Sequence, residues 1–514
     1  MVRTLLLGAR ILGSDGPPGT GALEHDGRHI TWVGGADAAQ ERRTGAVVLD
    51  LAGAVVTPAF VDAHVHATAT GLLVDGLDLV GCASARALLD AVAARAAARP
   101  GALVWGHGWQ DQHWPDPLPP RSALDRAAAG APVYLSRIDV HSALASSALL
   151  DRAPAATGAP GWSAGALTSQ AHHHARRAAL AAVDSTTRDS AQAAFLTEAA
   201  ARGVAVVHEC AGPDISSPAD LAALLARPGP EVVGYWGEAV RGVDEVRERL
   251  TATGARGLAG DLFVDGSLGS RTAALRAPYA DAPGCTGNHY LDADAIGAHV
   301  AACTSAGVQA GFHVIGEAAA DALLAGLDAA VAATSAEAVR AAGHRVEHLE
   351  MVDATQARRL ADLGVVASVQ PLFDAFWGGP DGMYVQRLGA ARARGMNPFA
   401  GLRDAGVALA LGSDAPVTPV DPWASVRAAV EHRTPGSGLT ATQALAAHTS
   451  GGHRAAGDRS PLAGRLLPGA AVSYAVWDGA GPLDGDPRSP ACLRTVHRGA
   501  LLHDALPTPT AARR

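Results

Sequence analysis

From residue 54 onward the chain has one dominant rhythm. Short apolar runs alternate with alanine-rich stretches of helical length, the pattern of βα units around a parallel sheet. Eight runs are read as strands: Ala54–Val61, Val204–His208, Glu231–Tyr235, Asp261–Asp265, Val308–His313, His344–His348, Val365–Val369 and Val407–Leu411. Helices are expected between them at Pro218–Ala226, Glu245–Ala252, Glu317–Ala333, Ala354–Leu363 and Trp423–Glu431. The first of these carries a start signal, with Ser217 as N-cap and Pro218 at the first helical position. Eight such units imply an α/β fold, a (β/α)8 TIM-like barrel.

The ends of the chain read differently. Thr4–Ile11, Gly27–Val33 and Val47–Leu51, then Ala470–Trp477 and Leu493–His503, look like strands between turns. They imply a small β-sandwich built from both termini. The gap between the first two barrel strands is too long for a connecting loop, so an insertion follows barrel strand 1. The expected division is 1–53 for the N-terminal part of the sandwich and 54–67 for strand 1 with its motif. An inserted subdomain or lid takes 68–200, the rest of the barrel 201–455, and the C-terminal part of the sandwich 456–514. Ala102–Trp105 and Val133–Leu135 are strand-like pieces of the insertion, and the run His172–His174 reads as a solvated helix face.

Composition removes several classes of function. A formal charge of −9 over 514 residues argues against a nucleic-acid partner, which needs a basic face. No run reaches the roughly 20 apolar residues of a membrane span. The start, MVRTLLLGARILG, lacks the long apolar region and cleavage site of a secretory signal, and five scattered cysteines form no disulfide framework. A cytoplasmic protein acting on a small molecule is expected, with a homodimer as the base-rate assembly. All 41 basic residues are arginine. No residue of this chain can therefore become a carboxylated lysine.

Catalytic groups of such barrels sit at the C-terminal ends of the strands. The first run ends Asp62-Ala63-His64-Val65-His66, and alternate residues of a strand share a face, so His64 and His66 point together. His313 closes the fifth run, His348 the sixth, and Asp414 follows the eighth. Singly, each histidine is more simply a structural residue. Jointly they make a site for a divalent metal such as zinc, with Asp414 as ligand and general base. Such a metal lowers the pKa of bound water towards about 7 and so supplies a nucleophile at neutral pH. The same position makes Glu209 either a pocket residue or a turn residue. Trp109, in GHGWQDQHWPD with His107, His113 and Trp114, is either a lid residue over the substrate or part of the insertion's own core.

These stretches resemble the amidohydrolase superfamily, and within it the amidohydrolase-3 group, which includes YtcJ-like proteins and N-substituted formamide deformylases. The resemblance runs through TPAFVDAHVH (57–66), DVHSALASSAL (139–149), FVDGSLGSRTAALRAPY (263–279), FHVIGE (312–317), RVEHLE (345–350), SVQP (368–371) and GSDAPV (412–417). It implies that His64, His66, His313, His348 and Asp414 are metal ligands, with Asp414 and His348 catalytic. It places Asp265, Ser267 and Gln370 by the substrate. Arg271 either meets an anionic substrate group or, more commonly, forms a structural pair.

The departures shape the expectation. Many relatives carry, four residues before the aspartate of DGS, a lysine whose carboxylated form bridges two metals. Here that position is Asp261, a shorter side chain, which is not expected to bridge the same pair. Either the site holds one metal, or two metals share only water and Asp414; one metal per chain, on His64, His66, His313 and Asp414, is the preferred arrangement, with His348 a second-shell or transition-state group. Val140 and Ser146 also replace a glycine and an asparagine of the group pattern. The implied activity is hydrolysis of a non-peptide C–N, amide-like bond through a metal-activated water. Deaminases and lactonases can use the same site, and a barrel that has lost catalysis and serves as a binding scaffold is the alternative from another class.

Overall fold

A computed structural model describes residues 3–13, 21–486 and 488–506. Two parallel sheets form the centre. Phe60–Val65, Val204–Ala211 and Glu231–Trp236 make one, in spatial order first, second, third. Gly311–Val314, Arg345–His348, Val366–Val369 and Ala408–Leu411 make the other, also in chain order. Isolated parallel bridges join them at both seams. Tyr235 pairs with Gly257, and Leu258 with Ala310, at one seam; Val65 pairs with Ala415 at the other. At the second seam the Asp414 amide donates to the His64 carbonyl at 2.8 Å, and the His66 amide to the Ala415 carbonyl at 2.9 Å. The array thus returns on itself. Helices such as Pro218–Leu225, Glu317–Ala333, Ala354–Asp362 and Pro422–Val430 pack around it. Ser217 caps the first by accepting from the Asp220 amide, as its position before Pro218 implied.

The fourth barrel position departs from the expected strand Asp261–Asp265. Only Gly257, Leu258 and Phe263 make bridges there. Gly260 causes the break: its φ of +82° lies in the left-handed region, and a Cβ on it would come within 2.9 Å of the Cys210 Cβ. The chain kinks, leaves the ladder and turns Asp261 toward the barrel interior.

The run Ala54–Val61 is two strands in two sheets. Val55–Pro58 pairs antiparallel with Tyr474–Trp477 and parallel with Arg10–Ile11, while Phe60–Val65 pairs with Val204–Ala211. The sandwich therefore extends to Pro58, past the expected boundary at 53, because a continuous apolar run does not show which neighbour each half meets. The five-stranded sheet containing Val55–Pro58 faces a four-stranded sheet of Arg3–Leu7, Ala22–His25, Ile30–Gly34 and Ala46–Asp50. Leu6, Leu23, Ile30, Val56, Val476 and Val496 fill the space between them. Each such buried aliphatic side chain contributes about 1.5–3 kcal/mol.

Between barrel strands one and two lies a separate five-stranded sheet, in spatial order Leu167–Thr168, Ser142–Ala145, Val133–Arg137, Val104–Trp109, Leu77–Asp78. Trp109 belongs to its core, packed among Leu88, Val92, Val133 and Leu135, with 1% of its surface exposed. Its indole N–H donates to the Leu135 carbonyl at 2.8 Å. This corrects the substrate-binding role expected for Trp109: the buried polar N–H is satisfied inside the insertion and the ring lines no cavity near the barrel rim.

Candidate metal centre

His64 and His66 leave the first barrel strand on one face, their ring centroids 5.2 Å apart. His64 is fully buried and held from behind. Its Nδ1 lies 2.9 Å from Glu347 Oε2, and Glu347 is in turn gripped by Arg345, at 2.6 Å from Nε and 2.9 Å from Nη2. Both partners are fully buried. Burial pushes the Glu347 carboxyl up, but the Arg345 charge and the His64 hydrogen bond outweigh it and hold the group well below the usual carboxylate range. An ionised Glu347 can only accept, so His64 Nδ1 carries the proton and Nε2 presents a lone pair.

Two carboxylates face that lone pair and are shared with His66. Asp414 Oδ1 lies 3.5 Å from His64 Nε2 and 3.1 Å from His66 Nε2. Asp261 Oδ1 lies 3.5 Å from His64 Nε2, and Asp261 Oδ2 lies 3.2 Å from His66 Nε2. A tetrahedral ion with bonds of 2.0–2.2 Å sets its ligands about 3.3–3.6 Å apart. Two imidazoles and two carboxylates at these spacings fit a divalent cation in charge, donor type and size. His64 Nε2, Asp261 Oδ1 and Asp414 Oδ1 are buried with no hydrogen-bond partner among the described residues, a costly arrangement that a shared cation resolves. Without a cation the carboxylates draw protons onto the rings: burial lowers the His66 pKa, yet Asp261 and Asp414 raise it to about 9.

The geometry corrects the expected one-metal set in two respects. The fourth corner beside His64, His66 and Asp414 is Asp261, whose kinked backbone brings the short side chain inward. His313 stands off to one side, its ring 4.4 Å from that of His348 and its Nδ1 3.6 Å from Asp265 Oδ1. His313 and His348 line the same small cavity as Asp414, together with His141, Ser267, Glu350 and Tyr384. His348 Nδ1 lies 2.8 Å from Gln370 Oε1, and the Gln370 amide donates to the Ser368 carbonyl at 3.4 Å. Gln370 is thus an orienting group for His348, and the expected substrate contact falls to others.

Asp265 is likewise corrected. Its carboxylate accepts from the amides of Ala274, Ile315 and Gly316 at 2.8–2.9 Å and is fully buried, so it pins two rim loops and has no surface to offer a substrate. Ser267 does reach the cavity, with its hydroxyl on Asp139 Oδ2 at 2.7 Å. Arg271 pairs with Asp281 at 3.0 and 2.7 Å, the structural outcome. Glu209 accepts from the Ala67 amide at 2.8 Å beneath the His66 turn.

The insertion contributes more than its sequence suggested. His172 and His173 are buried, not solvated: His172 Nε2 meets the Tyr134 hydroxyl at 2.9 Å, and His173 lies 3.3 Å from Asp214. With Arg176 and His141 they wall a second small cavity against His66, Asp261 and Asp414. The helix Ser169–Ala181 alternates a buried and an exposed face, but polar residues hid the buried one. His141, 5.1 Å from His313, was also missed, although it stands in the DVHSALASSAL stretch. A concavity of about 1400 Å3 opens at the opposite, N-terminal ends of strands five to eight, away from the His/Asp cluster.

A closed parallel array with a His/Asp cluster at the C-terminal ends of its strands defines the metal-dependent hydrolase architecture. The comparisons agree. The Amidohydrolase family model matches residues 47–503, and the chain belongs to that family. The putative amidohydrolase YtcJ of Bacillus subtilis (strain 168) is 27% identical over 413 residues, 74% of each chain. Protein LONG AFTER FAR-RED 3 of Arabidopsis thaliana is 27% identical over 488 residues, covering 84% of this chain and 80% of its own. An uncharacterized metal-dependent hydrolase from Pyrococcus furiosus superposes with a TM-score of 0.71 at 25% identity, over 93% of this chain and 99% of its own. Among the described residues no single helix is long and apolar enough to cross a membrane.

Proposed function

We propose that the protein hydrolyses a carbon–nitrogen bond, other than a peptide bond, in a small amide-like molecule, with zinc as its metal. The observation that carries this reading is the approach of Asp261 and Asp414 to both His64 and His66, within 3.1–3.5 Å, beside a small cavity at the strand ends. Bound there, a divalent metal supplies Lewis acidity and a water nucleophile at neutral pH. Asp414 is the general base: it faces the cavity, and although burial raises its pKa, His64 and His66 hold it low enough to stay ionised. It takes the proton of the attacking water and passes it to the departing nitrogen. His348 turns its Nδ1 to Gln370 Oε1 and, although burial lowers its pKa, Asp261 and Asp414 raise it above the ordinary histidine value, so its Nε2 can carry a proton toward the substrate. His141 and His313 stay neutral, each held near pKa 3 first by burial, so they add no charge to the substrate cavity.

The space beside the centre amounts to about 30 Å3, so a substrate enters by displacing what covers it: Val140 and His141, the helix Ser169–Ala181, and Phe373 and Trp377. Metal-loaded protein assayed against amides, carbamates, formamides, lactones and aminated heterocycles tests the assignment. Amide-type turnover that disappears with a chelator, and falls about 100- to 10,000-fold in Asp414→Asn, is expected. Turnover confined to lactones or to deamination moves the reaction class, and unchanged activity in Asp414→Asn removes the assigned base. No turnover of any class by protein that holds metal favours the scaffold reading.

A further inference from the structure

We propose that the concavity at the N-terminal ends of barrel strands five to eight binds a small organic polyanion of the nucleoside di- or triphosphate class. Its walls share no residue with the metal centre, and the binding does not depend on the reaction assigned above.

Charge sets this concavity apart. Six arginines line it, Arg256, Arg340, Arg403, Arg454, Arg459 and Arg465, against one carboxylate, Asp458. The whole chain has the opposite balance, with 41 basic and 50 acidic residues. The arginines converge from separate segments: Arg340, Arg403 and Arg454 stand in the last turns of the helices Ala336–Ala342, Phe399–Ala405 and Ser450–Ala455. A cation there offsets the negative end of a helix dipole, about half a charge, which accounts for each arginine singly but not for the scarcity of acids. Arg403 is paired with Asp404 at 2.6 Å. Arg340 and Arg459 donate to the carbonyls of Asp362 and Ala341, which hold a guanidinium in place without neutralising it. Arg256 and Arg454 are exposed and have no carboxylate within ion-pair reach among the described residues. A cleft lined by one sign of charge focuses the field and gathers counter-ions.

Size and lining narrow the ligand. The concavity measures about 1400 Å3, and pockets for drug-sized ligands run to about 300–1,000 Å3, so one whole nucleotide fits with water around it. Its floor is apolar where strands seven and eight begin, at Val365, Val366, Val407 and Leu409. Gln309 ties that floor together. Its amide donates to the carbonyls of Gly343 and Ala455 at 2.6 and 3.1 Å, and its oxygen accepts from the Tyr235 hydroxyl at 2.9 Å. Guanidinium forks match phosphate oxygens two at a time. A nucleoside di- or triphosphate supplies both halves, a flat body for the floor and adjacent anionic groups for the arginines. A long nucleic acid would instead run out over a chain of net charge −9.

Isothermal titration calorimetry of the metal-loaded protein with ADP gives the test. One ADP per chain is expected, with an affinity that falls as salt rises. Arg256→Gln combined with Arg454→Gln should weaken binding about 10- to 100-fold, since each removes charge-assisted contacts. Arg459→Gln alone should weaken it about tenfold and locates the site should the double variant fail to fold, which thermal melting checks. His66→Asn, which removes a metal ligand, should leave ADP binding unchanged. Adenosine should not bind measurably, and pyrophosphate should bind more weakly than ADP because it leaves the apolar floor bare. No binding of ADP at about 1 mM, equal affinity in the folded arginine variants, or loss of binding in His66→Asn would overturn the site. Pyrophosphate as tight as ADP overturns the nucleoside, and a single-stranded oligonucleotide that binds more tightly than ADP overturns the small ligand in favour of nucleic acid.

Discussion

At the scale of single residues the site is a chain of orientation. Arg345 holds Glu347, Glu347 holds His64 Nδ1, and His64 Nε2 is left to face Asp414 and Asp261. A buried charge pair of this kind stabilises little by itself, since both ions were taken out of water. Its value here is in fixing a tautomer. Glu347→Gln is expected to weaken metal affinity by about 10–100-fold while leaving the fold intact, measured by competition with a chromogenic chelator. Unaltered affinity would show that His64 is oriented by something else. The pair was legible in principle: Arg345 and Glu347 are two apart on one strand and therefore share a face, with His348 directly after. The histidines and Asp414 were found because strand ends are where chemistry gathers. Asp261 was set aside on side-chain length alone, and length does not decide reach when the backbone moves.

At the scale of elements the alternation of apolar and helical stretches located seven of the barrel strands, with shifts of a few residues. The failures have specific causes. Ala54–Val61 hid a change of sheet at Ala59, since burial on both sides looks alike in sequence. The fourth run hid a kink, because Gly260, just before its first residue, does not announce its φ. Gly260→Ala places a side chain in the left-handed region and against Cys210, and is expected to cost about 1–3 kcal/mol in urea unfolding and to lower metal occupancy. A variant of wild-type stability with full occupancy would mean that the kink does not set the position of Asp261. The helix Ser169–Ala181 was read as solvated from its polarity, yet it presents His172 and His173 to a wall of the pocket. Local sequence could not reveal that the insertion folds back over the rim.

At the scale of the whole molecule, buried neutral histidines outside the metal centre act as staples between elements. His299 Nε2 meets the Leu258 carbonyl at 3.0 Å and its Nδ1 accepts from the Val240 amide; His344 Nδ1 accepts from the Ala310 amide at 2.9 Å; His448 Nδ1 meets the Val61 carbonyl at 2.8 Å. Burial lowers their pKa values from 6.5 to about 4, 3 and 4. Protons therefore bind the unfolded chain more readily than the folded one between these values and 6.5. Stability is fully present above pH 6.5 and falls as pH drops toward 4, by up to about 1.4 kcal/mol per pH unit for each histidine. Buried Glu209, Asp265 and Glu350, raised by burial to about 7, act in the opposite sense over the same range, so the histidine share is read by comparing wild type with His344→Gln in guanidinium unfolding at pH 7.5 and pH 5: a smaller loss at pH 5 in the variant is expected, and an identical pH dependence would contradict the neutral, buried assignment. The claim on which the account turns is that a metal sits at the strand ends among His64, His66, Asp261 and Asp414. Anomalous diffraction at the zinc edge from crystals of the zinc-loaded protein tests it most directly. A peak about 2.0–2.2 Å from His64 Nε2, His66 Nε2 and oxygens of both aspartates is the expected result. Ordered side chains in that pocket with no anomalous density between them would contradict it.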